Sequence, residues 1–241
     1  MATEKIEKGD VVRIDYKAYI ADVDRLYDTT DETLAKEAGI YNEKCSYVPM
    51  PYIVGSNKLF KALDEAISNA TVGEETAVEI ASSDAAGPKN PKLIETYSVR
   101  EFQKQKITPS TGLEVKLGNK TGTVVSVGAG RVRVDFNNPL AGKDLKYVFT
   151  VTEIVKDDNE KAKAVVEMSF GTSNGFSFNV SEEKVSISLP DIVKFSREWP
   201  VMKFKVVSDM RDVFKVDTVE IVEVWSRVSS TEKSTADKKD E

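Results

Sequence analysis

Histidine is absent from these 241 residues. Without an imidazole there is no His-assisted serine or cysteine nucleophile, no common catalytic zinc set and no imidazole acid–base chemistry. Cysteine occurs once, at Cys45, which excludes an intrachain disulfide framework. With no histidine to activate it, Cys45 reads as an ordinary small apolar side chain rather than a nucleophile. No apolar run approaches the ~18 residues of a membrane span, and the polar residues 1–5 lack a signal-peptide core. An excess of positive charge is missing too. The net charge of −6 argues against nucleic acid as the primary ligand. Together these absences lead us to expect a cytoplasmic protein that needs no cofactor and no metal. Any catalysis it performs must rest on shape, hydrogen bonds and apolar surface, or on carboxylate and lysine chemistry.

What is present describes a soluble globular chain: 40% hydrophobic and 31% charged residues exclude a wholly disordered one. The length favours two or three domains over one. Residues 11–20 alternate as a strand with one buried face. Residues 26–30 read as a turn or short strand, and residues 30–34 offer caps for a short helix that ends at Gly39. Pro49, Pro51 and Gly55 punctuate an extended segment at 47–54. From Lys58, the apolar positions Leu59, Phe60, Leu63, Ala66 and Ile67 fall at helical spacing. Val72-Gly73 then turns the chain into a strand at 76–80.

The run Ala85-Ala86-Gly87-Pro88-Lys89-Asn90-Pro91 reads as a domain crossing. Between it and Pro139 lies an all-β pattern with strands at 113–117, 120–127 and 131–136. Gly128 and Gly130 resemble part of a nucleotide-binding loop, but no helix follows and the third glycine is missing, so a hairpin turn is expected. Residues 156–161 form a charged, apolar-free linker. Beyond it, strands are expected at 164–170, 176–180 and 184–189, a short helix near Pro190, an interruption at Pro200 and a strand at 216–228. The tail, 229–241, is polar and reads as disordered.

Several segments carry a resemblance in their order and spacing. They are Lys8-Gly9-Asp10-Val11-Val12, Asp15-Tyr16, Leu26-Tyr27-Asp28-Thr29-Thr30, Gly55, Leu63-Asp64-Glu65-Ala66, Val72-Gly73-Glu74 and Asn137-Asn138-Pro139-Leu140-Ala141-Gly142-Lys143. Over residues 5–155 the chain resembles the FKBP-type peptidyl-prolyl cis-trans isomerases of the SlyD-like kind. It is most similar to the long archaeal branch, which carries an inserted chaperone domain and a C-terminal domain.

The resemblance implies an α+β fold in which an antiparallel sheet wraps on a short helix. It implies a discontinuous isomerase domain (1–85 and 139–156), a β-rich insert in the flap (86–138) and a C-terminal α+β domain (160–228). It further implies isomerisation of X-Pro bonds in unfolded or nascent polypeptides, with Tyr27, Asp28, Phe60 and Tyr147 catalytic and Tyr16, Leu59 and Leu63 binding substrate. The insert would capture clients on Leu93, Ile94, Tyr97, Val99, Phe102 and Ile107, although the same residues could form its core. The C-terminal domain could serve dimerisation or client binding. The histidine-rich tail of some relatives is replaced here, so their nickel binding is not expected.

Three positions depart from the family's usual residues: Ala18 for a glycine, Ala62 near the helix start, and Ala86 for an aromatic before Gly87. They keep a second expectation open, a weak or inactive isomerase scaffold that serves as a holdase or interaction factor. Each aromatic alone would also suit an ordinary sheet face.

Overall fold

The structure, a computed structural model, describes residues 5–226. In chain order the elements begin with β1 (Val11–Ile20), β2 (Arg25–Thr29), α1 (Glu32–Glu37), β3 (Met50–Ile53), α2 (Lys61–Ser68) and β4 (Glu75–Ile80). Next come β5 (Ile94–Ser98), α3 (Val99–Lys104), β6 (Glu114–Leu117), β7 (Lys120–Gly128) and β8 (Arg131–Asp135). The chain then returns through β9 (Leu145–Ile154) to α4 (Asp158–Phe170), β10 (Ser177–Val180) and β11 (Lys184–Ser188). It closes with α5 (Asp191–Lys194), α6 (Trp199–Phe214) and β12 (Thr218–Val222). The fold is α+β.

The first sheet runs β2-β1-β9-β4, with β3 also paired to β1. Its pairings are antiparallel. β9 lies between β1 and β4 although more than sixty residues of sequence separate it from β4. This part of the fold therefore cannot close until the chain has returned from the insert. Helix α2 covers one face, where Val12, Ile14, Leu63, Ile67, Ile80, Leu145, Phe149 and Val151 form one core.

The other face is covered as well, contrary to the one-sided burial expected of β1. Val11, Ile53 and Val155 turn away from α2 and join Ala162, Val165, Val166, Val206 and Met210 in a second core. The doublet Val11-Val12 reflects this: adjacent residues on a strand face opposite ways, and both are fully buried. Polar contacts reinforce the junction. Arg13 pairs with Glu167 at 3.2 Å, and buried Asp209 pairs with Lys58 and accepts from the Ser169 hydroxyl at 3.0 Å.

The insert forms its own antiparallel sheet, β5-β8-β7-β6. Phe102, Val115, Val124, Val132 and Val134 make its core. It is not all-β: α3 follows β5 without a loop, because Ser98 caps the helix by accepting from Arg100 N–H. In β7, Gly122 leaves room that no side chain could use. A Cβ there would sit 2.7 Å from the Asp135 carbonyl oxygen and 2.6 Å from the Phe136 ring.

Three sequence expectations fail in the C-terminal region. Residues 164–170 are helical, not a strand, and the charged run at 156–161 is no linker: Asp157 caps α4 by accepting from the N–H groups of Asn159 and Glu160, both at 3.0 Å. Ala162, Ala164, Val165 and Val166 are all buried, so the helix is covered on several sides and its apolar period is blurred. Pro200 does not interrupt the following segment but sits in the first turn of α6, where a proline N–H would have no partner anyway. The third sheet is β10-β11-β12, with β11 and β12 parallel. The strand expected at 216–228 is shorter, β12 covering only Thr218–Val222 with residues 223–226 outside any strand; residues 227–228 and the tail 229–241 lie outside the described residues.

Candidate active site

Strand pairing brings the site together. Ala18 of β1 lies opposite Asp28 on β2 and Tyr147 on β9, while Tyr16 lies opposite Phe149. Side chains alternate along a strand, so Ile14, Tyr16 and Ala18 share the α2 face with Tyr147 and Phe149. Ala18 is wholly buried beneath this array. Helix α2 delivers Leu63 and Ile67 from above, and Leu59 arrives on the loop before it.

That loop has a specific anchor. Asp64 is buried within α2, and its carboxylate accepts from Gly55 N–H at 2.9 Å and Asn57 N–H at 3.3 Å. The helix starts at Phe60 with no side-chain cap, so its first-turn amides keep their donor capacity.

The result is a pocket of about 230 Å³ lined by Tyr16, Asp28, Leu59, Leu63 and Tyr147. Sites that bury a drug-sized ligand span about 300–1,000 Å³, so this one suits a single side chain. Ile14, Met50, Ile67 and Phe149 complete the wall; nothing in the sequence pattern separated them from core residues. Tyr27 and Phe60 do not line this pocket directly. They buttress it: both rings pack edge-on against Tyr147, with centroids 6.3 and 6.2 Å away.

Hydrogen bonds fix the polar rim. The Tyr16 hydroxyl donates to Asp28 Oδ2 at 2.8 Å, and the Tyr27 hydroxyl donates to the Tyr147 hydroxyl at 2.6 Å. Thr29 and Thr30, quoted in the sequence only as part of a motif, hold Asp28 in place. Thr29 N–H donates to Asp28 Oδ1 at 2.9 Å, its hydroxyl donates to the Tyr16 carbonyl at 2.8 Å, and the Thr30 hydroxyl donates to Asp15 at 2.9 Å. Burial, followed by the Asp28 charge, pushes the Tyr16 phenol well above its ordinary value. Burial and the bond to Tyr147 do the same for Tyr27, and burial raises Tyr147. All three tyrosines are therefore neutral near pH 7.

The insert's candidate surface is mostly interior. Phe102 is wholly buried, and Tyr97, Val99 and Ile107 pack against it. Ile94 is half-buried. Only Leu93 of the six is exposed, joined by Val125 and Val127 on β7, which the sequence did not single out. Ala86 is half-buried at the crossing, outside the pocket lining. Cys45 is exposed, not packed as a small apolar residue would be. No helix among the described residues is long and apolar enough to cross a membrane.

Comparison with known proteins gives three family matches: "FKBP-type peptidyl-prolyl cis-trans isomerase" over residues 2–103, "FKBP26, IF domain" over 97–140 and "FKBP26_C-terminal" over 158–226. A short-type peptidyl-prolyl cis-trans isomerase of Methanocaldococcus jannaschii is 33% identical over 156 residues, 64% of this chain and 98% of that protein. The SlyD isomerase of Helicobacter pylori is 27% identical over 46% of this chain and 62% of its own length. A 16 kDa FKBP-type isomerase of Escherichia coli is 27% identical over 44% of this chain and 74% of its own.

Proposed function

Because the chain belongs to the FKBP-type peptidyl-prolyl cis-trans isomerase family, we propose that the pocket between β1, β2, β9 and α2 takes the proline of an X-Pro bond. The enzyme class, peptidyl-prolyl cis-trans isomerase, follows from the family, and the names of the relatives favour it over an inactive holdase. The observation that carries the site reading is convergence: Tyr16, Asp28, Leu59, Leu63 and Tyr147 come from separate elements and line one small pocket.

The chemistry needs no acid, base or nucleophile. Rotation about a peptide bond faces a barrier of about 18–20 kcal/mol because amide resonance must be lost. The twisted amide is less polar than the planar one, so an apolar aromatic bowl binds it better than the ground state. Only that difference in binding speeds the reaction. Tyr147, whose hydroxyl accepts from Tyr27, keeps its own proton for the substrate carbonyl. Phe60 N–H, at the uncapped start of α2, is a second donor. Asp28 anchors Tyr16 and sets the negative rim. Exchange spectroscopy on a short prolyl peptide tests this: the protein should speed cis–trans exchange, and Asp28→Ala or Tyr27→Ala should lower the rate while circular dichroism stays native.

The same reading divides the chain into isomerase segments 1–85 and 139–156, an insert at 86–138 and a C-terminal domain at 160–228. Its clients are unfolded or nascent polypeptides, met in the cytoplasm. The exposed trio Leu93, Val125 and Val127 is the client surface we assign to the insert, in place of buried Phe102. Homodimerisation through the C-terminal domain is supported by its exposed apolar residues. Ile192, Phe195, Val201, Phe204, Val224 and Trp225 are each at least 58% exposed, and Phe195 packs edge-on against Trp225 at 5.6 Å. Sedimentation would decide: Phe204→Glu with Trp225→Glu should convert a dimer to a monomer, and a monomeric wild type would refute the interface.

A further inference from the structure

Beside the prolyl pocket runs a wider cleft of about 780 Å³. Both are lined by Tyr16, Asp28 and Met50, so the two adjoin and a chain with its proline in the pocket can continue into the cleft. Ile40, Tyr47 and Val48 from the segment joining α1 to β3, with Pro51 of β3, supply its apolar lining, and Asn42 and Ser46 lie among them. This lining is braced internally. Tyr47 stacks on Tyr41 with centroids 5.4 Å apart and planes 15° from parallel, and its hydroxyl accepts from Asn42 N–H at 2.9 Å.

Another part of the lining comes from the C-terminal domain, the turn Gly171-Thr172-Ser173-Asn174 that closes α4. Gly171 takes a left-handed conformation, φ 89°, and its N–H donates to the Glu167 carbonyl at 2.8 Å. Glu167 then ties this turn to the sheet. Its carboxylate meets the Arg13 guanidinium of β1 at 3.2 Å and accepts from the Ser173 hydroxyl at 2.7 Å. Arg13 reaches Glu153 of β9 at 3.4 Å as well. The cleft is therefore held by bonds that cross from the isomerase sheet to the C-terminal domain. Thr172 and Asn174 are left exposed at its polar side.

We propose that this cleft binds the polypeptide flanking the isomerised proline, so that the C-terminal domain forms part of the substrate site. The proposal rests on the prolyl-pocket reading and extends it. An unfolded chain offers apolar side chains together with unpaired backbone N–H and C=O groups. The cleft matches both, with the wall at 40–51 for the side chains and the Asn174 carboxamide, donor and acceptor in one group, for the backbone. Its volume falls in the range of sites that enclose a whole ligand, about 300–1,000 Å³.

The test uses the full chain and two prolyl peptides. One ends a residue either side of its proline, and the other carries apolar residues on both flanks. Asn174→Trp and Val48→Asp alter the parts of the lining contributed by the C-terminal domain and by the 40–51 segment, at exposed positions where folding tolerates change. Each should lower the long-to-short ratio of kcat/KM about tenfold and raise the Kd of the long peptide by a similar factor. Equal losses on both peptides, an unchanged ratio with unchanged binding, or wild type binding the long peptide no better than the short one would each overturn the proposal. Failure of the pocket reading looks different. Wild type would then bind the long peptide without speeding exchange, and the two substitutions would still weaken that binding.

Discussion

The C-terminal domain packs Ala162, Val165 and Val166 against Val11, Ile53 and Val155 of the isomerase sheet, whereas the insert packs Phe102, Val115, Val124, Val132 and Val134 with one another. Where the chain enters and leaves the insert, the outgoing and returning segments are tied to each other by polar contacts. Lys89 pairs with Asp135 at 2.9 Å, Asn137 donates to the Asn90 carbonyl at 3.0 Å, and Gly142 N–H donates to the Gly87 carbonyl at 2.7 Å. A shared apolar core makes two folding units one. A polar crossing leaves them separable, and this difference orders the expected effects of cutting the molecule.

The largest effect should follow truncation after residue 156. It strips the cover from Val11, Ile53 and Val155, each side chain worth about 1.5–3 kcal/mol when fully buried. The fragment should lose most of its stability or aggregate, as thermal unfolding would record. Replacing 86–138 by a short flap should leave cooperative unfolding of the remainder, although prolyl-limited refolding of a whole protein should slow more than exchange in a short peptide, because the tether to an unfolded client is gone. Comparable damage from both deletions would erase the distinction.

Sequence exposed one of these junctions and hid the other. The Gly87-Pro88 and Asn137 to Lys143 segments carry turn residues, and the chain does cross there. At 156–161 the charges that suggested a linker are a helix cap and first turn, because Asp157 spends its carboxylate on backbone N–H groups. α4 was unreadable as a helix since Ala162, Ala164, Val165 and Val166 are buried around much of its girth. β5 and α3 escaped notice because Ser98 joins strand to helix without a loop. Tyr16, Asp28, Leu59, Leu63 and Tyr147, which the resemblance implied together, line one pocket; Tyr16, Asp28 and Leu63 stand within the ordered motifs, whereas Leu59 and Tyr147 lie outside them. Met50 and Phe149 were not legible, since pocket lining and core packing draw on the same residue types.

A middling effect is expected at Ala86, where the crossing approaches the isomerase domain. Ala86→Tyr should add an apolar contact near the twisting amide and raise prolyl-peptide turnover. A tenfold gain would correspond to about 1.4 kcal/mol of transition-state stabilisation. No change in a folded variant would mean that Ala86 does not overlie the substrate.

The smallest effect is electrostatic and belongs to the crossing alone. Burial by itself would raise the Asp135 carboxyl, but Lys89 and the Asn137 donors outweigh it and bring the pKa down to about 2. A pKa depressed on folding stabilises the native state above the unfolded value and is lost as pH falls through the folded one. The advantage of wild type over Asp135→Asn should therefore be present at pH 6 and shrink between about pH 5 and 2. A difference that stays constant over that window would place the stabilisation elsewhere.

On the mechanism proposed above, the isomerase works by binding the twisted amide and moves no proton. Its most direct test is the pH profile of cis–trans exchange in a short prolyl peptide. The chain has no histidine, and Tyr16, Tyr27 and Tyr147 are all pushed above the ordinary tyrosine value. Ordinary carboxylates titrate near pH 4, so the accelerated rate should be flat from about pH 6 to 9. A bell-shaped or sigmoidal profile within that range, or no acceleration by the folded protein, would contradict it.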